Sequence, residues 1–290
     1  MKEPYFQPGR EGKIVILGAG PCGLGASWRL KELGYSNFEV YDSQESCGGL
    51  ASTEVDDAGF LWDLGGHVIF SHYQYFDSLL DYLIPEWCVH DRNASIWMRQ
   101  RFIPYPLQSN IHHLPPVDIQ KCLEGLLKVE REKNSHTKPK NFHEWLKNSF
   151  GEGLMEIFMT PYNQKVWGVS PTQMNVEWMG ERVALVDLAK IMTSIVTGED
   201  QTDWGPNRQF RFPLKGGTGS IWSSLQKKIG NQHFNFNSRA IQVNAKDKYL
   251  VLEGGRHVHY DHLVSTIPLD MLCGMVRGGG GSGGGPAFPG

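Results

Sequence analysis

The run Gly18-Ala19-Gly20-Pro21-Cys22-Gly23 has the residue types and spacing that bring a polypeptide backbone against a pyrophosphate. Gly18 allows a tight turn, Gly20 lets main chain approach the phosphates, and Gly23 lets a following helix pack closely on the preceding strand. The N-terminus of such a helix presents N–H groups that have no partner inside the helix and therefore favour an anion. Asp42 follows 19 residues after Gly23, where a carboxylate can accept hydrogen bonds from a ribose hydroxyl. Two further glycine pairs, Gly48-Gly49 ahead of Leu50 and Gly65-Gly66 ahead of His67, offer two more places for backbone to meet a ligand. A cofactor lying extended along the domain suits FAD better than NAD.

The elements that must position these residues lie around them. Lys13 to Leu17 is a short β-branched apolar run, a helical pattern from Cys22 to Leu33 ends at Gly34, and Phe38 to Tyr41 reads as the next strand. This predicts a βαβ unit with a parallel sheet. Further on the period is helical: Phe76, Leu79, Leu80 and Leu83 share one face, as do Ile119, Cys122, Leu123 and Leu126, and Phe142 to Phe158 is compatible with one long helix. From Ala240 the period shortens to strands at Ala240 to Asn244, Tyr249 to Leu252 and His262 to Thr266, a meander feeding back into the sheet. The expected fold is α/β, a Rossmann-like nucleotide-binding domain with an inserted, mostly helical lobe. Its parts are 10–84 and 210–272 for the domain, 85–209 for the lobe, and a disordered Gly-rich tail over 273–290. Of the 34 glycines, 8 fall within 278–290, a composition that cannot pack.

Composition excludes several function classes. With 40% hydrophobic and 20% charged residues among 290, the chain can bury a core. A net charge of −3 gives no global basic field for nucleic acid or an anionic membrane. The 5 cysteines are scattered, without a C-x-x-C pair, and fit a reducing compartment. Neither a signal peptide nor a long apolar run is present, so a soluble, cytoplasmic protein is expected. His257, His259 and His262 lack a cysteine or carboxylate set to complete a ligand shell, and no metal is expected. Lys128 to Lys140 alternates in charge sign and reads as a solvated helix end and loop.

Beyond single motifs, GAGPCGLGASWRL, the acid at Asp42, GGLAST and DLGGHVIFSHYQYFDSLL resemble the flavin amine-oxidase superfamily, and within it the eukaryotic-type UDP-galactopyranose mutases. The likeness continues through FIPYPLQSNI, PYNQKVWGVSP, MGERVA, DWGPN, FRFPLKGGTGSIW and LVSTIPLD, covering about residues 10–272. The resemblance implies an FAD-binding domain of glutathione-reductase type and a flavin-dependent isomerase that interconverts UDP-galactopyranose and UDP-galactofuranose. In that family reduced flavin acts through N5 on the anomeric carbon while UDP leaves, with no net redox change. It implies FAD contacts at Gly18, Gly20, Pro21, Gly23, Asp42, Gly49, Leu50 and Val243, and a loop beside the flavin ring at Gly65, Gly66 and His67.

By the same resemblance, Tyr105 and Gln108 belong to a uracil pocket, Leu107 standing where the family usually has a second aromatic. Asn163, Trp167, Arg182 and Asn207 line the substrate cleft, with Arg182 suited to clamp a diphosphate. His67 and Arg182 are the candidate catalytic residues, a UDP-sugar the expected substrate, and NAD(P)H a possible reductant. Family members continue well past the position of Leu272, which implies a truncated or alternatively spliced product whose catalysis is impaired. The alternatives are an amine-oxidase-like FAD-dependent oxidoreductase and an inactive FAD-binding fragment.

Overall fold

The computed structural model describes residues 12–67, 69, 71, 73–132, 138–179, 183, 185–201 and 209–277. The described residues form two compact units, one drawn from 1–90 and 210–290 and the other from 91–209.

The first unit begins as β1 (Ile14–Leu17), α1 (Pro21–Glu32) and β2 (Phe38–Tyr41). Proline at the start of α1 lacks an N–H that would have no partner there anyway, and Gly34 at φ +82 carries the chain out of the helix. A hairpin of β3 (Thr53–Val55) and β4 (Leu61–Asp63), helix α2 (Gln74–Leu83) and β5 (Trp87–Asp91) follow.

The second unit holds a hairpin of β6 (Ser95–Met98) and β7 (Arg101–Pro104), then α3 (Pro116–Glu132), α4 (Phe142–Leu154), a π-helical turn at Met155–Met159, α5 (Thr160–Trp167) and α6 (Leu188–Thr197). Its core gathers Ile103, Leu107, Cys122, Leu126, Phe142, Leu146, Phe150 and Ile191. Phe142 to Phe158 is broken where one helix was expected, because Gly151 adopts φ +72 against α3. A Cβ at Gly151 would lie 2.4 Å from the carbonyl of Gly125, so the two backbones meet where no side chain fits.

The chain then returns to the first unit through β8 (Gln209–Pro213), which pairs with β5, and α7 (Gly219–Ile229). It ends in β9 (Phe234–Asn235), β10 (Ala240–Asn244), β11 (Tyr249–Leu252), β12 (His257–His259), β13 (His262–Ser265), α8 (Leu269–Met275) and β14 (Val276–Arg277). Residues 273–277 are thus helix and strand, where a disordered tail from 273 was expected; β14 pairs in parallel with β10.

The central sheet is parallel, in the order β13-β1-β2-β9. Alternation along its strands fills two cores. Ile14, Ile16, Phe38 and Val40 face Leu24, Leu80, Ile221 and Leu225 from α1, α2 and α7. Val15, Leu17 and Tyr41 face Val243, Leu250, Leu252 and Val258 from a second sheet ordered β12-β11-β10-β14. A sheet covered on both faces explains why its inner strand β1, IVIL, reads as an unbroken apolar run. Its layers place the β1–α1 turn and the end of β2 side by side.

Candidate functional site

The turn from β1 into α1 is shaped by two steric demands. Gly18 sits at φ +100, and a Cβ on Gly23 would fall 1.8 Å from the Gly18 carbonyl oxygen. Neither position accepts a larger residue without moving the helix. The second glycine pair is docked on this turn: Gly48 N–H donates to Ala19 O at 2.9 Å, and a Cβ on Gly49 would lie 3.2 Å from the Gly20 Cα. Gly20 precedes α1 with no side-chain cap, so the first N–H groups of the helix stay free of side-chain acceptors. Leu50 is 82% exposed beside them.

Asp42 closes the other side of the turn. Its Oδ2 accepts the Ala19 N–H at 2.6 Å and its Oδ1 accepts the Gln44 N–H at 2.8 Å. An ionised carboxylate has about four acceptor positions, so two remain for ribose hydroxyls. With Gly18, Tyr41, Ser238, Arg239 and Met271 it lines a cavity of about 100 Å3. Val243, expected to touch the cofactor, does not line this cavity. The alternation of β10 turns its side chain into the core, where it is 1% exposed.

Gly65, at φ +87, begins the turn that carries His67. His67 Nε2 lies 2.7 Å from both Leu50 O and Leu64 O. Two carbonyls can only accept, so Nε2 carries the proton, and in the neutral ring Nδ1 is the remaining acceptor. His67 thereby ties its own loop to the second glycine pair. It also lines an apolar cavity of about 530 Å3 with Pro21, Leu50, Trp222 and Thr218.

Asp63, just before this loop, had no assigned role in the sequence. It accepts the Thr218 N–H at 2.9 Å, the Thr218 hydroxyl at 2.7 Å and the Thr53 hydroxyl, while Thr53 Oγ1 accepts the Gly219 N–H at 2.7 Å. The start of α7 is therefore fastened to the β3–β4 hairpin. Burial pushes the Asp63 carboxyl up, but the hydrogen bonds from Thr53 and Thr218 and the nearby His67 outweigh it and hold the group below its usual range.

The candidate substrate residues that are described lie in the second unit. Tyr105 is half-buried, and burial together with the Tyr162 hydroxyl pushes its phenol above the ordinary value. Gln108 is 2% exposed, and Leu107 beside it is fully buried in the unit's core, so that position packs rather than faces a ligand. Asn163 Nδ2 donates to Met159 O at 2.8 Å, the last residue of the π-helical turn that runs into α5. Trp167, one turn further on, is half-exposed with its ring centroid 4.8 Å from that of Trp178. Arg182 and Asn207 lie outside the described residues.

Asn110 is a residue the sequence reading missed. Fully buried, it donates to Pro106 O at 3.1 Å and Gln201 O at 2.9 Å, and accepts the Gln201 N–H at 2.7 Å. It fixes the 104–110 loop that carries Tyr105 and Gln108. The only signal was its place in FIPYPLQSNI, and its partner lies 91 residues away.

The family model described as flavin containing amine oxidoreductase matches residues 21–273 of this chain. The chain belongs to that family. Among curated relatives, the mitochondrial protoporphyrinogen oxidase of Nicotiana tabacum is 20% identical, over 89% of this chain and 58% of that protein. The probable flavin-containing monoamine oxidase A of Dictyostelium discoideum is 22% identical, over 91% of this chain and 59% of that one. Among solved structures, that of reduced UDP-galactopyranose mutase superposes with a TM-score of 0.89 at 47% identity, covering 93% of this chain and 58% of that chain. The chain thus spans little more than half the length of the proteins it matches.

The residues present fit the family's flavin. Side-chain-free backbone at Gly18, Gly20, Gly23 and Gly49, an uncapped helix start and the spare acceptors of Asp42 form the cradle that the dinucleotide end requires. The chain is a flavoenzyme-family protein of α/β fold. No helix among its described residues is long and apolar enough to cross a membrane.

Proposed function

We propose that this chain takes a UDP-sugar and interconverts UDP-galactopyranose and UDP-galactofuranose. The observation that carries the reading is the 47% identity and TM-score of 0.89 to a UDP-galactopyranose mutase across 93% of the chain, against 22% or less for the oxidase relatives. A bound reduced flavin would supply the nucleophile for the anomeric carbon. The α1 amides would hold the dinucleotide's phosphates, Asp42 its ribose, and the backbone of Leu50, Gly65 and Gly66 would border the ring.

In the lobe of 85–209, Tyr105 would stack the uracil, with Gln108 reading its edge. Asn163 and Trp167 would line the sugar site. Arg182 would neutralise the departing diphosphate by bidentate hydrogen bonds, and Asn207 would join it in enclosing the ligand. His67, with Nε2 held by two carbonyls, presents Nδ1 as the atom able to respond to flavin charge. NAD(P)H is the proposed reductant and the cytoplasm the proposed location.

The test is turnover of UDP-galactofuranose by the flavin-loaded chain under dithionite, followed by chromatography of the sugar nucleotides. Formation of UDP-galactopyranose, abolished in Arg182→Ala, is expected. Peroxide release from an amine in air without sugar-nucleotide turnover would instead establish the oxidase chemistry of the wider family. Flavin retention with neither activity would leave a binding fragment.

A further inference from the structure

The 3-10 turn Ile111–His113 places two histidines side by side, both aimed at one carboxylate. Asp200 Oδ1 lies 3.1 Å from His112 Nε2 and 2.6 Å from His113 Nε2. The ligand-capable atoms of the three groups all lie within 4.8 Å of one another. The His112 side chain is only 8% exposed, and its Nδ1 has no hydrogen-bond partner among the described residues.

We propose that His112, His113 and Asp200 form a site for a divalent first-row transition ion, zinc foremost, bound by two imidazole nitrogens, one carboxylate oxygen and a water. Tetrahedral zinc with bonds of about 2.0–2.2 Å sets its ligand atoms about 3.3 Å apart. Admitting the ion requires the Asp200 oxygen to retreat by less than about 1 Å from either ring and the two ring nitrogens, which lie within 4.8 Å of one another, to close toward that spacing. The side chains of His113 and Asp200, 34% and 39% exposed, have room for that movement, while buried His112 keeps its position.

The backbone on both sides is already tied down. Asn110, directly before the turn, exchanges two hydrogen bonds with Gln201, directly after Asp200, and Arg101 donates to His113 O at 2.9 Å. Convergent donors on a fixed backbone are what separate a binding site from a chance cluster. Two imidazoles with one carboxylate select zinc over magnesium, which prefers oxygen ligands and near-octahedral geometry. The ion would cross-link this turn to the chain leaving α6 and stabilise the folded form by mass action. None of its ligands is assigned to flavin or sugar nucleotide, so the site stands apart from the proposed activity.

The experiment uses the full, tag-free chain stripped of metal, titrated with Zn2+ in a calorimeter and with Co2+ by visible absorption. The expected result is one ion per chain, the intense visible bands of tetrahedral cobalt, and a melting temperature raised by zinc but not by magnesium. His113→Ala and Asp200→Asn, both at partly exposed positions, should weaken zinc by at least about ten-fold, the loss that even outer-shell partners of a metal carry. The double variant His257→Ala/His259→Ala, on exposed strand β12, should bind as the parent does. Equal zinc affinity in the parent and His113→Ala, octahedral cobalt in every protein, or loss of binding in the β12 variant would each overturn the proposal.

Discussion

The β1–α1 turn and the 104–110 loop both present backbone and side chains for a ligand, yet they are held in place by different physics. At the turn, shape is enforced by exclusion: a Cβ on Gly23 would sit 1.8 Å from a carbonyl oxygen, and one on Gly49 would sit 3.2 Å from the Gly20 Cα. In the loop, shape is enforced by attraction, through one buried amide whose partners come from Pro106 and from Gln201. Exclusion acts between near neighbours and leaves a glycine pattern. Attraction across 91 residues leaves one ordinary asparagine.

The largest expected effect comes from Gly23→Ala. The new methyl must push α1 off the turn, an overpacking cost of about 3 kcal/mol or more, and should abolish flavin retention. Flavin absorbance per chain and the melting temperature measure it; a yellow protein with parental melting would show that the turn is not sterically closed. Asn110→Ala comes next. It strips the Gln201 N–H and O and the Pro106 carbonyl of their partner, at about 1–3 kcal/mol for a buried group left unsatisfied. UDP affinity should fall while flavin content holds, and equal loss of both would erase the contrast between the two regions.

A smaller effect concerns Asp63. Because hydrogen bonds hold its folded carboxyl below the ordinary 3.8, its contribution is complete above that value and is lost as pH falls through the lowered folded value. Denaturant melts across that acidic range should show parental stability rising with pH more steeply than that of Asp63→Asn, the two curves converging at the acid end. Parallel curves would remove Asp63 from the anchoring of the hairpin.

The smallest effect uses native thiols. Burial pushes Cys47, in the first unit, up to about 11 and Cys122, in the second, up to about 12, whereas Cys22 and Cys273 are exposed. A thiol reagent should label the exposed pair first. Added flavin should slow labelling of Cys47 more than that of Cys122, and equal protection would mean that the cofactor steadies both units alike.

Much of the fold was legible because its signals are local. The apolar run ending at Leu17, the glycines at 18, 20 and 23, and the strand Phe38–Tyr41 appear in the structure as read, and so do the strands at Ala240–Asn244 and Tyr249–Leu252. The helical reading of the inserted lobe passed over the β6–β7 hairpin, whose turn takes Arg99 to φ +54 and Gln100 to φ +60 without a glycine to announce it. The long helix expected from Phe142 is interrupted at Gly151, which adopts φ +72 where the backbone of Gly125 in α3 lies too close for a side chain. Leu107, which stands where the resembling family has an aromatic, and the side chain of Val243 are both packed into cores.

The sequence by itself determined the dinucleotide cradle and the parallel βαβ unit, since each rests on residue types a few positions apart, and it determined the family through motifs that recur in order along residues 10–272. Tertiary structure alone decided which polar groups do the fastening. Asp63 meets Thr218 across 155 residues, Asn110 meets Gln201 across 91, and His113 meets Asp200 across 87. A hydrogen bond depends on proximity in space, and an isolated Asp, Asn or His carries no mark of which distant group the folded chain will bring to it.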